Sequence, residues 1–119
     1  GVRHVSVYAF SIDNFARAPK EVGGLMSLAE EKYAKLAADS GLAEREQVVM
    51  RVCGDLSLAP ASVCGAAARL MAATSSLAAP RARTNICFSY TAREDVVQAV
   101  DELISALQGE VLLSQTSPP

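Results

Sequence analysis

Four polar side chains of different chemistry lie close together near the start of the sequence. They are a hydroxyl at Ser11, a carboxylate at Asp13, a carboxamide at Asn14 and a guanidinium at Arg17. All four form hydrogen bonds, and a guanidinium can also hold a phosphate through two parallel hydrogen bonds. Taken alone, the first three are more typical of a turn that satisfies its own backbone N–H groups. Arg17 taken alone is more typical of a solvated surface charge.

The polar cluster follows a segment with the pattern of a β-strand. Between Val5 and Phe10, apolar residues recur at alternate positions and include β-branched and aromatic side chains, which suit a pleated sheet. Pro19 then opens a helical pattern, since proline is favoured at the first helical position. Ligands of an open parallel sheet bind just beyond the carboxyl ends of the strands. The cluster therefore lies where a binding site is expected.

Two further strand–helix pairs follow along the chain. Thr91 and Glu94 form a capping box, in which each side chain satisfies a backbone N–H of the other's turn. The predicted elements are a strand over 2–10, a helix from Pro19 to Gly41, a strand over 47–53, a helix from Pro60 to about Leu77, a strand over 84–90, a helix over 91–109 and an unstructured tail over 110–119.

This order of elements predicts an α/β fold with an open, mostly parallel sheet flanked by helices. The spacing between strands suits right-handed crossover connections. No strand is followed by G-x-G-x-x-G, and no P-loop is present. A dinucleotide-binding or P-loop interpretation therefore has no support.

Composition restricts the classes of function. Half of the 119 residues are apolar, enough for one packed domain, and the formal net charge is −2. A slightly acidic chain is a poor candidate for binding nucleic acid. No apolar run approaches the ~18 residues that span a bilayer, and no secretory signal is visible. Cys53, Cys64 and Cys87 form no Cys-x-x-Cys pair, and we expect buried free thiols in a reducing compartment.

Three segments resemble the cis-prenyltransferases, the undecaprenyl and dehydrodolichyl diphosphate synthases. The long one runs from Tyr8 to Met26 and contains Tyr-Ala-Phe-Ser-Ile-Asp-Asn-Phe-x-Arg, which is similar to the signature loop of the eukaryotic members. Arg-Val-Cys-Gly-Asp over 51–55 and Asn-Ile-Cys-Phe-Ser-Tyr-Thr-x-Arg over 85–93 follow in the family's order. The resemblance covers residues 2–106 and implies that 1–109 is the β-α-β-α-β-α part of the cis-prenyltransferase fold.

The resemblance implies condensation of isopentenyl diphosphate with an allylic diphosphate such as farnesyl diphosphate, giving a dehydrodolichyl-type product. Negative charge develops on the departing diphosphate and requires cations. Asn14 matches the position assigned to proton abstraction. Because a carboxamide is a very poor base, we expect Asn14 to orient the substrate or relay a proton. The implied substrate-binding residues are Ser11, Ile12, Asp13, Phe15 and Arg17. For Asp13 we expect a hydrogen-bonding role in the loop rather than metal binding.

The resemblance also implies groups that lie outside this sequence. The family's Asp-Gly-Asn-Arg segment, which binds Mg²⁺, is expected before residue 1, and its Arg-x-x-Gly segment after residue 119. We therefore expect no metal ligand in this chain and no activity from this chain alone. The resemblance further implies a homodimer or a heterodimer with a related subunit, in the cytoplasm or peripheral at the endoplasmic reticulum membrane.

Two other interpretations remain open at the level of sequence. The chain could be a non-catalytic interaction subunit of a prenyltransferase complex, although such subunits often lack the intact signature loop found over 11–17. It could also be an unrelated α/β binding domain in which the loop matches by chance.

Overall fold

A computed structural model describes residues 1–116 of the chain, and their side chains up to Glu110. The strands are β1 (His4–Ser11), β2 (Val48–Cys53) and β3 (Ala82–Tyr90), and the α-helices are α1 (Pro19–Ala38), α2 (Leu42–Glu46), α3 (Ala61–Thr74) and α4 (Ala92–Thr116). Two single 3₁₀ turns cover Ile12–Ala16, after β1, and Leu56–Leu58, after β2.

The three strands form one parallel sheet with β3 in the middle, in the order β1-β3-β2. Val7 and Val52 both pair with Ile86, so the strands are in register across the sheet. The pairing of β1 with β3 shifts on either side of Phe10. The predicted α/β fold with a parallel sheet and flanking helices is confirmed.

The core lies between one face of the sheet and the helices α1 and α3. Its buried apolar residues are Phe10, Met26, Tyr33, Val52, Val63, Ala66, Ala67, Leu70 and Phe88. Fully burying one large apolar side chain contributes about 1.5–3 kcal/mol. The small side chains of Ala66 and Ala67 have no exposed surface, which allows α3 to approach its neighbours closely.

The segment between α1 and β2 contains a helix that the sequence prediction missed. Asp39 accepts two hydrogen bonds from the Arg45 guanidinium, at 2.7 and 3.0 Å, across the turn that enters α2. This ion pair and these bonds hold the pKa of the Asp39 carboxyl below its usual value. Gln47, with φ of 52°, ends the short helix in the left-handed region.

Helix α3 ends at Thr74, three residues before the predicted end at Leu77. The Thr74 hydroxyl accepts a hydrogen bond from the Met50 N–H at 3.0 Å and lies 3.2 Å from the Leu70 carbonyl, to which it can donate. One buried hydroxyl therefore joins the last turn of α3 to β2. A hydroxyl near a helix end commonly makes such bonds to backbone groups.

Helix α4 begins where predicted but continues beyond its predicted end. The Thr91 hydroxyl accepts a hydrogen bond from the Glu94 N–H at 3.1 Å. Gly109 does not end the helix, and residues 110–116 are helical rather than part of an unstructured tail. Residues 117–119 of that predicted tail lie outside the described residues.

Helix α4 carries an apolar stripe that is exposed rather than packed. The stripe consists of Val96, Val97, Val100, Leu103, Ile104 and Leu107. Val96, the most exposed residue of the stripe, retains 65% of its accessible surface, and Val97, the least exposed, retains 44%. The stripe has the period of an amphipathic helix, but it adds nothing to the core within residues 1–110.

Two observations bear on the sequence predictions for membranes and thiols. Among the described residues, no helix has the length and apolar character that crossing a bilayer requires.

Cys53, Cys64 and Cys87 are free thiols, but each is only partly buried. The prediction that they are buried is therefore wrong.

Candidate functional site

The loop after β1 is shaped by its own polar side chains. The Ser11 hydroxyl accepts a hydrogen bond from the Asp13 N–H at 3.1 Å, and the Asn14 carboxamide oxygen accepts one from the Ser11 N–H at 2.9 Å. This reciprocal arrangement is a capping box at the start of the 3₁₀ turn. Asp13 is exposed and Ile12 is half-buried. Ser11 and Asn14 thus hold the loop in one conformation.

Arg17 lies at the end of the same turn and already has an anionic partner. Its guanidinium Nη1 lies 2.6 Å from the Glu21 carboxylate, one helical turn further on in α1, and both side chains are half exposed. The Arg17 backbone N–H donates to the Asn14 carbonyl at 3.1 Å. A guanidinium at this position is accessible to a phosphate that can displace Glu21.

Aromatic rings connect the loop to the core. Phe15 packs edge-on against Phe10 with ring centroids 4.9 Å apart, and Phe10 stacks on Phe88 at 5.3 Å. Tyr33 meets Phe88 edge-on at 5.9 Å, and its burial raises the pKa of the Tyr33 hydroxyl to about 12. An aromatic pair stabilises the fold by about 0.5–1.5 kcal/mol beyond the contribution of its buried area. The contacts among these rings therefore hold the Phe15 side chain against the core.

A cavity of about 720 Å³ opens beside the loop, within the range of small-molecule sites. Its lining includes Phe15, Arg17 and Met26 on the side of the loop and α1, and Leu58 and Val63 on the side of α3. The walls are mainly apolar, while Arg17 and Glu30 contribute charge. The cavity can therefore hold an apolar chain next to a cation.

The structure unites some of the predicted site residues and separates others. Phe15 and Arg17 line the cavity, whereas Ser11, Ile12, Asp13 and Asn14 do not. Sequence reasoning missed the contribution of the second 3₁₀ turn and of Pro60, which line the opposite wall. The only sequence signal for that wall was the proline that starts the second crossover helix.

The second and third sequence motifs meet at the ends of β2 and β3. Gly54 has φ of 148°, and a Cβ placed there would overlap the Phe88 carbonyl oxygen. The Asp55 N–H donates to the Ser89 carbonyl at 2.8 Å, and the Ser89 hydroxyl donates to the Asp55 carbonyl at 2.7 Å. The Asp55 carboxylate also accepts a hydrogen bond from the Ser57 N–H at 3.1 Å, which caps the second 3₁₀ turn.

The donor groups do not assemble a metal site within residues 1–116. No group of three or more histidine, cysteine, aspartate or glutamate side chains there could hold a metal ion. Asp13, the carboxylate in the loop, belongs to no such group. Residues 1–116 therefore provide no metal site built from protein side chains alone.

The chain is similar to known proteins in both sequence and structure. The family model described as putative undecaprenyl diphosphate synthase matches residues 1–117. A human dehydrodolichyl diphosphate synthase complex subunit is 39% identical over 103 residues, which are 87% of this chain and 30% of the human protein. Dehydrodolichyl diphosphate synthase CPT3 of Solanum lycopersicum is 40% identical over 86% of this chain and 34% of the tomato protein. The chain thus spans about a third of the length of these relatives.

Solved structures show the same fold. Lavandulyl diphosphate synthase from Lavandula x intermedia, in complex with dimethylallyl diphosphate, superposes with a TM-score of 0.78 at 23% identity and covers 93% of this chain and 46% of that one. A probable undecaprenyl diphosphate synthase from Campylobacter jejuni gives a TM-score of 0.76 at 24% identity over 87% of this chain and 48% of that one. At these identities the likeness concerns the fold alone.

Proposed function

The chain belongs to the undecaprenyl diphosphate synthase family of cis-prenyltransferases, and on this premise we propose that it forms part of an enzyme that elongates polyprenyl diphosphates. The reaction joins isopentenyl diphosphate to an allylic diphosphate, releases pyrophosphate and removes a proton to leave a cis double bond. A dehydrodolichyl-type product is favoured by the names of the human and tomato relatives. The observation that carries the proposal is the amphipathic cavity, in which the signature loop places a guanidinium beside apolar walls.

Arg17 is proposed to bind diphosphate oxygens. The ion pair with Glu21 is exposed, and an exposed pair stabilises by only ~0–1 kcal/mol. A diphosphate carries more charge than one carboxylate and can accept two parallel hydrogen bonds from the guanidinium. We therefore expect a substrate diphosphate to replace Glu21 as the partner of Arg17 and to neutralise the charge of the Arg17 guanidinium during the reaction.

Asn14 is proposed to act through its amide nitrogen. Its oxygen is engaged by the Ser11 N–H, which fixes the side chain and leaves the NH₂ group as the donor for a ligand. A donor held in this way can orient a diphosphate or an ordered water that takes up the proton. The Ser11 hydroxyl already accepts one hydrogen bond and can donate its own proton to the substrate.

The remaining loop residues are proposed to shape the binding surface. Phe15 lines the cavity and rests on Phe10, so it can pack against the isoprenoid chain. Ile12 and Asp13 lie within the turn that presents the neighbouring side chains, and their backbone can contact the substrate. The Mg²⁺ that the family resemblance implies would neutralise the departing diphosphate, and we expect its ligands outside residues 1–116.

A chimera tests the proposed activity. Residues 2–106 replace the matching segment of the tomato synthase, and incorporation of labelled isopentenyl diphosphate into polyprenyl diphosphate is measured with Mg²⁺ and farnesyl diphosphate. We expect product from the chimera and none from the 119-residue chain alone. A chimera with the circular dichroism of the tomato parent but without product would contradict the proposal.

A role in a complex is a second proposal, and it concerns partners. The human relative is named as a subunit of a synthase complex, so we infer pairing with a second copy or a related subunit, peripheral to the endoplasmic reticulum. If the chain served only as an interaction subunit, the chimera would pair with a partner but would form no product. Light scattering after size-exclusion chromatography distinguishes these outcomes.

A further inference from the structure

Two cysteines from the second and third motifs lie directly opposite each other in the sheet. Cys53, the last residue of β2, is the register partner of Cys87 in β3. The preceding pair, Val52 and Ile86, faces the core. Because strand side chains alternate between faces, the two thiols lie together on the opposite face, away from α1 and α3.

The spacing of such a pair is compatible with a disulfide. Neighbouring strands lie about 4.7–4.9 Å apart, and disulfides join residues whose Cα atoms are ~4.4–6.8 Å apart. Both thiols are partly exposed and free. Cys64, by contrast, lies in α3, where its thiol donates to the Leu56 carbonyl at 3.0 Å.

The surroundings of the two thiols differ. Burial raises the pKa of the Cys87 thiol, and the nearby charges of Cys53 and Asp95 raise it further. Since the thiolate is the nucleophile, the raised pKa makes Cys87 the slower attacker and suits it to the second step. Cys87 is then placed to resolve the product.

We propose that Cys53 and Cys87 form a redox-active dithiol that a low-molecular-weight disulfide, such as oxidised glutathione, converts into a disulfide joining β2 to β3. The Cys53 thiolate attacks one sulfur of the oxidant, forms a mixed disulfide and releases the first thiol. The Cys87 thiol then loses its proton and attacks the Cys53 sulfur, which releases the second. The two protein thiols lose two electrons, and one oxidant molecule is reduced to two thiols.

The disulfide would be easily reduced and would act on the candidate site. Bridged Cβ atoms lie about 3.8 Å apart, closer than the strand spacing of about 4.7–4.9 Å, so the two side chains must lean towards each other. Strained disulfides have more oxidising potentials and are the labile ones. Cys53 adjoins Gly54, where an added Cβ would overlap the Phe88 carbonyl oxygen, and Phe88 stacks on Phe10. Oxidation would therefore stress the link between the aromatic rings and the second 3₁₀ turn.

The test uses the purified chain, oxidised glutathione and mass spectrometry. After oxidation, remaining thiols are alkylated, and trypsin releases peptide 52–69 with Cys53 and Cys64 and peptide 84–93 with Cys87. We expect one cross-linked product of these two peptides, with Cys64 alkylated. Persistent mixed disulfides, a bridge through Cys64, or dimers linked between chains as the main product would overturn the proposal.

Matched variants separate the roles of the two thiols. Cys64→Ser should leave the cross-link unchanged. Cys87→Ser should accumulate the mixed disulfide on Cys53. Cys53→Ser should react more slowly with oxidised glutathione, because it leaves Cys87 as the only thiol on that face of the sheet among residues 1–110, and burial raises the pKa of the Cys87 thiol. Oxidation in guanidinium serves as the control for folding: the preference for Cys53–Cys87 should be lost there. Equal preference with and without denaturant would also refute the proposal.

Discussion

Arg17 and Glu21 face each other across one turn at the start of α1, with 2.6 Å between Nη1 and Oε1. Glu21 is well placed without its partner, since a carboxylate in the first turn of a helix interacts favourably with the helix dipole. Arg17 therefore depends on Glu21 for charge compensation more than Glu21 depends on Arg17. A diphosphate can take over this compensation while Glu21 remains stabilised by the helix.

Replacing Glu21 by glutamine should strengthen diphosphate binding. The exposed pair is worth at most ~1 kcal/mol, so the KM for farnesyl diphosphate in the tomato chimera should fall by no more than about fivefold. Glu31→Gln, at an exposed position further along α1, is the control. A KM that rises in Glu21→Gln but not in the control would show that Glu21 orients Arg17 rather than competing for it.

Gly54→Ala should destabilise the chain by several kcal/mol. The new Cβ would overlap the Phe88 carbonyl oxygen, which requires the ends of β2 and β3 to separate, and φ of 148° is strained for any residue with a Cβ. Urea denaturation followed by circular dichroism measures the change. Gly24→Ala is the matched control: no atom lies within 4 Å of its added Cβ, and alanine in a helix interior is favoured by about 1 kcal/mol over glycine. Equal stability of the two variants would be incompatible with the described contact.

The free energy of unfolding should decrease at high pH because of Tyr33. Burial raises the pKa of the Tyr33 hydroxyl from the ordinary value of 10.0 to about 12 in the folded chain. Between these values the folded state retains a proton that the unfolded state has lost, so stability is full below pH 10 and falls as the pH rises towards 12. The free energies of unfolding measured by urea titration at pH 9 and pH 11 should differ by about 1.3 kcal/mol. In Tyr33→Phe this part of the difference should disappear, and an unchanged pH profile would contradict it.

The sheet and the loop could be predicted because their determinants are local in sequence. Alternation before Phe10, the proline at position 19 and the capping residue Thr91 each specify one element without reference to the rest. Ser11 and Asn14 shape their turn through bonds to residues two and three positions away. Short-range patterns of this kind are visible in a single sequence.

The cavity and the exposure of α4 could not be predicted because they depend on which surfaces meet. Leu58 and Phe15 are 43 positions apart, and only the packing of α1 beside α3 brings them to one cavity. The stripe of α4 has the period of a buried face, yet Leu103 retains 61% of its accessible surface. Periodicity shows that a helix has an apolar face but not what that face contacts.

Two substitutions of Asn14 should separate its structural role from its proposed role in the reaction. Asn14→Asp keeps the oxygen that accepts from the Ser11 N–H but replaces the amide NH₂ by a second acceptor, so the loop should persist while the donor is lost. If that donor orients the proton acceptor, kcat of the tomato chimera should fall by about 100-fold or more, with little change in KM for isopentenyl diphosphate. Asn14→Ala should lose kcat similarly and also about 1 kcal/mol of stability with the cap. A kcat that survives in Asn14→Asp would mean that Asn14 serves the loop alone.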